Sequence, residues 1–207
     1  MNAVLDDLAI ASIRGATQGR HAALEAVAQL VPAVSHGRYL LALRAFELFL
    51  SAWEPRIDAV LSAPLRHWFA SRSRRELLRR DLYQPDDGRG VPEQARHACE
   101  RAVSRIELVS TPAAFGSIYV LEGSALGGQV IARVAIATLG LDGNSGAAYF
   151  NGRGGRTAAQ WKFFQVLLEE QVGSEPTARQ EACGAARQTF DALITTFTAL
   201  HHDQAAA

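Results

Sequence analysis

Apolar residues recur at helical spacing along almost the whole chain, and alternating strand patterns are nearly absent. A chain that keeps the helical period has no sheet on which to build a core, so its helices must bury one another. Caps and prolines divide the pattern. A first helical segment covers about residues 3–30 and breaks at Pro32. Ser35 is the expected N-cap of a second helix running toward Trp53. Pro55 should kink or restart it, because proline cannot donate the ladder hydrogen bond. Pro64 opens an Arg-rich helix to about Leu82, and residues 84–92 read as a loop. Pro92 starts a helix to about Leu108. Thr111-Pro112 starts the longest one, ending near Gly140. After a glycine-punctuated connection over 141–156, two more helices are expected at about 157–172 and 175–202. No repeat or low-complexity linker interrupts this order, which predicts one all-α domain over residues 1–207.

Composition narrows the function classes. The 207 residues are 48% hydrophobic and 20% charged, enough for one buried core. Formal net charge is zero, so no global field draws the chain to nucleic acid. The opening carries Asp6 and Asp7 where a signal peptide needs cations. The best candidate for a membrane span, 112–141, is interrupted by Glu122, Gln129 and Arg133. Cys99 and Cys183 show no paired spacing and read as thiols of a reducing cytoplasm, the expected location.

The longest helix carries an anomaly at its centre, Tyr119-Val-Leu-Glu-Gly-Ser-Ala-Leu-Gly-Gly-Gln-Val-Ile131. Each helical glycine costs about 0.5–1 kcal/mol relative to alanine, so Gly123, Gly127 and Gly128 weaken it by about 2–3 kcal/mol. Gly116, Val120, Gly123, Gly127 and Ile131 share one face. Such a face suits close packing against another helix through small residues, or a flat ligand lying on bare backbone. A phosphate loop is a poor reading, since GSALGG fits neither phosphate-binding pattern and no strand precedes it.

A second feature is His21, with Glu25 one turn along the same face. A carboxylate on one ring nitrogen frees the other as a metal ligand and raises its basicity; the same pair is also a common surface contact. His36, His67, His97, His201 and His202 share no metal-ligand spacing. The run from Arg66 to Arg80 holds six arginines, and suits either a solvated helix face or a surface that steers an acidic redox partner.

The block YVLEGSALGGQV, the early RGATQGRHAALE and the later YFNGRGGRTAAQWKFF together resemble the bacterial, phytochrome-associated branch of the haem oxygenases, over about Ile13 to Phe197. The resemblance implies the all-α haem oxygenase fold, with haem, both substrate and cofactor, between a proximal and a distal helix. It makes His21 the axial iron ligand and Glu25 its supporting carboxylate. Gly123 and Gly127 become the glycines facing the iron-bound oxygen, and Arg14 and Lys162 approach the haem propionates. Ser124 stands where animal members carry an aspartate, and can relay a proton through its hydroxyl without holding a charge. Implied products are biliverdin, carbon monoxide and ferrous iron, with electrons from a separate reductase or ferredoxin and a bacterial phytochrome as a product acceptor. Two rivals stand beside this reading: a non-catalytic haem carrier of the same fold, and a helical interaction protein that binds no haem.

Overall fold

The computed structural model describes residues 8–82 and 90–205, with side chains through His202. In chain order the elements are α1 (Ala9–Ala28), α2 (His36–Val60), α3 (Ala63–Ala70), α4 (Arg75–Leu82), α5 (Glu93–Ser104), α6 (Thr111–Leu139), the single turn α7 (Ala148–Asn151), a 3-10 turn (Gly154–Arg156), α8 (Thr157–Val172) and α9 (Pro176–Ala205). No strand is present among the described residues, in accord with the all-α expectation. Residues 1–7 and most of the expected loop at 84–92 lie outside the described residues.

Local chemistry explains most boundaries. Ser35 accepts from Arg38 N at 3.3 Å, and Ser110 from Ala113 N at 3.2 Å, so both hydroxyls cap the helices they precede. Gly140, at φ 68°, closes α6 in the left-handed conformation that glycine adopts without strain. The start of α1 has no cap of its own. Glu169 of α8 supplies one, its two carboxylate oxygens accepting from Ala9 N at 2.8 Å and Ile10 N at 3.0 Å.

Two expectations need correction. Pro55 does not restart the helix entered at Ser35, which runs through it to Val60 as one element. Trp53 and Ile57, buried on either side of the proline, anchor both halves in the same core, and that burial offsets the lost ladder bond. The Arg-rich segment is two helices, separated at Ser71–Arg74 where Arg72 and Arg74 turn inward.

Helix α9 is the spine. It packs against α6, α1, α5 and α2, while α8 and α7 cover other sides of α6. Contact is closest where α6 crosses α9: a Cβ on Gly116 would stand 2.0 Å from the Ala182 carbonyl oxygen. At the same crossing Trp53 Nε1 donates to Ser117 Oγ at 2.8 Å, and Ser117 shares a 2.6 Å hydrogen bond with Thr189. Helix α6 is long and apolar enough, by length and composition, to cross a membrane, yet it holds Glu122 in an ion pair and packs against four other helices. Helices α1 and α6 both lean on α9 without packing extensively on each other, which leaves a slot between them.

Candidate functional site

The slot is a cleft of about 260 Å³, just below the usual size of a small-ligand pocket, and it is open to solvent at Val31 and Val130. One wall is α1, with His21, Leu24, Glu25 and Ala28. The other is α6, with Gly123, Ser124, Gly127, Gly128 and Ile131. Phe46 of α2 and Phe197 of α9 form the floor, and Leu30 and Val31 line one end. The structure therefore brings His21, Glu25, Gly123, Ser124 and Gly127 into one cleft although the sequence separates them by about a hundred residues.

The glycines of α6 divide by what surrounds them. Gly116 and Gly128 are packing glycines, since a Cβ at Gly128 would lie 3.0 Å from the Phe150 carbonyl oxygen. Helix α7 is itself fixed by buried Asp81, whose carboxylate accepts from Ala148 N at 3.0 Å and Tyr149 N at 2.7 Å. Burial pushes the Asp81 carboxyl upward, and these backbone hydrogen bonds oppose the shift. Gly127 differs, for a Cβ there would meet nothing within 4 Å. At Gly123 the added atom would come into ordinary contact with the Trp161 ring at 3.6 Å. Close packing thus explains two of the four glycines and leaves the cleft-facing pair unexplained.

On the opposite wall, His21 Nδ1 lies 3.6 Å from Glu25 Oε2, an electrostatic contact longer than a hydrogen bond. The ring rests edge-on against Phe190 at 5.9 Å between centroids, and the side chain is 59% exposed. With Nδ1 turned to the carboxylate, Nε2 is the nitrogen left to serve as a ligand. Ser124 Oγ donates to the Leu121 carbonyl at 2.8 Å, so it faces the cleft mainly as an acceptor.

The two expected propionate cations sit differently. Burial pushes the Tyr119 phenol upward, against the pull of the exposed Arg14 guanidinium beside it. Tyr119 packs against Trp161 at 5.8 Å, and Trp161 covers Gly123, so Arg14 is tied to the glycine wall through two rings. Lys162 is exposed beside Trp161 and is not among the cleft-lining residues. Tyr119, Trp161, Phe46 and Phe197 were missed as site residues. The only sequence signal for them was aromatic character at core-facing spacing, which core residues share.

The arginines of 66–80 are not a free run of charge. Arg72 pairs with Glu122; Arg74 donates to the Leu121 carbonyl at 3.0 Å and lies over the Tyr149 ring; Arg75 donates to Ser51 at 2.9 Å. Arg79 bonds Glu76, and Arg80 reaches the Asn144 carbonyl at 3.3 Å. No cluster of three or more metal-ligating side chains occurs among the described residues.

The donor set fits haem: an imidazole on one wall, side-chain-free backbone on the other, and an apolar floor. Comparison with known proteins agrees. The family model described as Heme oxygenase matches residues 7–199. A heme oxygenase of Xanthomonas campestris pv. campestris (strain 8004) is 30% identical over 164 residues, covering 78% of this chain and 89% of that protein. The solved structure of heme oxygenase from Leptospira interrogans is similar at a TM-score of 0.70 and 19% identity, covering 90% of this chain and 96% of that one. At that identity the structural likeness bears on fold alone.

Proposed function

The chain belongs to the haem oxygenase family, and from that premise we propose that it holds haem in the α1–α6 cleft with His21 as axial ligand and cleaves it to biliverdin. The observation that carries this reading is the open backbone at Gly127 in the cleft that His21 also lines. Packing within the chain does not account for this glycine, since a Cβ on Gly127 would meet nothing within 4 Å.

When bound, haem supplies the iron that activates oxygen and the macrocycle that is opened, yielding biliverdin, carbon monoxide and ferrous iron. The protein positions. His21 presents Nε2 while Glu25 faces its Nδ1 side. Gly123 and Gly127 leave the opposite side free of any imidazole or carboxylate that would redirect the oxygen. Ser124 Oγ, its hydrogen directed at Leu121, accepts from a cleft water and orients it; passing a proton onward requires the hydroxyl to rotate. Leu24 and Ala28 on the α1 wall, with Phe46 and Phe197 on the floor, exclude bulk water. Arg14 and Lys162, both exposed, would neutralise the haem propionates from the Trp161 side. We read residues 1–207 as one cytoplasmic domain, fed by an external reductase or ferredoxin and passing its product to an acceptor such as a bacterial phytochrome.

Turnover of the reconstituted ferric complex with an artificial reductant, catalase present, tests the reading. Product chromatography should show biliverdin. A stable oxygen complex with no verdin overturns the enzyme in favour of the carrier.

A further inference from the structure

The cleft side of the glycine segment has little to hold it, since a Cβ on Gly127 would meet nothing within 4 Å and one on Gly123 only the edge of Trp161. The opposite side of the same segment is held at three points by groups distant in sequence. Arg72, from the turn between α3 and α4, binds Glu122 in a two-pronged pair, Nε to Oε1 at 3.0 Å and Nη2 to Oε2. Arg74 donates to the Leu121 carbonyl at 3.0 Å. Gln129 Nε2 donates to the Gly154 carbonyl at 2.7 Å and to Thr157 Oγ1 at 3.2 Å. The side chains of Arg72 and Glu122 are only 10% and 14% exposed. Two cavities of about 20 Å³ border the pair, each lined by Arg72, Arg74 and Glu122 and each with room for one water.

A buried two-pronged pair is directional, and its net contribution to stability is small next to an apolar replacement, so its value here is geometric. Glu122 immediately precedes Gly123. Resting on the haem oxygenase reading, we propose that Glu122 is a positioning residue: with Arg72 it clamps the back of the glycine segment and so sets where the Gly123 and Gly127 backbone stands in the cleft. A change in the clamp moves the glycine wall, because little on the cleft side resists it: Trp161 touches only the Gly123 position, and a Cβ on Gly127 would meet nothing within 4 Å.

The test uses Glu122→Gln, Arg72→Gln and the double variant, each checked for folding by circular dichroism. In the protein without haem, amide exchange of a peptide spanning 119–130 should speed up about tenfold in either single variant, while α9 peptides stay at the parent rate. The double variant should recover part of the way, because no charge is left unpaired. In the ferric haem complexes, the midpoint pH at which the iron-bound water ionises should shift by about half a unit or more. Haem affinity should stay within about threefold. Parent-like exchange in both single variants overturns the clamp. Faster exchange with an unmoved midpoint overturns its reach to the ligand side. A parent protein that takes up no haem defeats the functional reading alone, and the exchange experiment still decides the clamp. If Glu122→Gln does not fold, Glu122→Asp keeps the charge, shortens the reach and is read by the same two measurements.

Discussion

Gly116 lies so close to Ala182 that an added Cβ would stand 2.0 Å from the Ala182 carbonyl oxygen. Eleven residues along the same helix, the same atom on Gly127 would meet nothing within 4 Å. One helix therefore uses glycine for two purposes, and substitution separates them.

Gly116→Ala should destabilise by about 3 kcal/mol, the upper end of the overpacking range, because its obstacle is backbone and cannot swing aside. The midpoint of denaturant unfolding measures this. An unchanged midpoint would mean that α6 and α9 do not cross as described.

Gly127→Ala should leave stability unchanged or raise it by up to about 1 kcal/mol, since alanine is the better helix former and the space is open. Haem affinity should stay within about tenfold, roughly 1.4 kcal/mol, while biliverdin yield falls or changes isomer. Gly127→Leu should block the oxygen side or exclude haem. Turnover at the parent rate and isomer in Gly127→Leu would remove α6 from the site.

Ser117→Ala should cost about 1–3 kcal/mol, since it strands the buried Trp53 Nε1–H that donates to Ser117 Oγ. Thermal unfolding without haem reads the loss. Spectra of the haem complex should be unaltered, because Ser117 lies at the α6–α9 crossing and not among the cleft-lining residues.

Acidification should weaken the fold partly through His201. Burial, then the Arg38 charge, push its pKa below 6.5, against the pull of the Val27 carbonyl. The folded state thus binds fewer protons than the unfolded one between the lowered pKa and 6.5. Its contribution is full above 6.5 and is lost as pH falls through the folded value. Melting temperature recorded across pH 7.5 to about 5 should fall less steeply in His201→Gln than in the parent. Parallel curves would clear His201 of the effect.

Local and periodic features were legible in the sequence. The cap at Ser35, the stop at Gly140 and the extent of Thr157–Val172 follow from signals within a few residues of each boundary, whereas the cap of α6 is Ser110 and not Thr111, which is already helical. His21 with Glu25, and Gly123 with Gly127, were readable because helical spacing puts each pair on one face. Long-range pairing carries no local signal. Glu169 capping α1, Asp81 capping α7 and Arg72 reaching Glu122 each join residues fifty or more positions apart. The Arg66–Arg80 run looked like surface charge because its inward partners, Glu122 and the Leu121 carbonyl, lie on a different helix. The persistence of α2 through Pro55 depends on burial of Trp53 and Ile57, which propensity does not contain.

The central claim is that haem sits in the α1–α6 cleft on His21. Titration of haem into the parent protein and into His21→Ala, followed by absorption spectroscopy with and without added imidazole, tests it most directly. The parent should bind one equivalent with the spectrum of a histidine-ligated ferric haem. His21→Ala should lose that spectrum and regain it when imidazole fills the vacated position. An unchanged spectrum in His21→Ala would contradict the account.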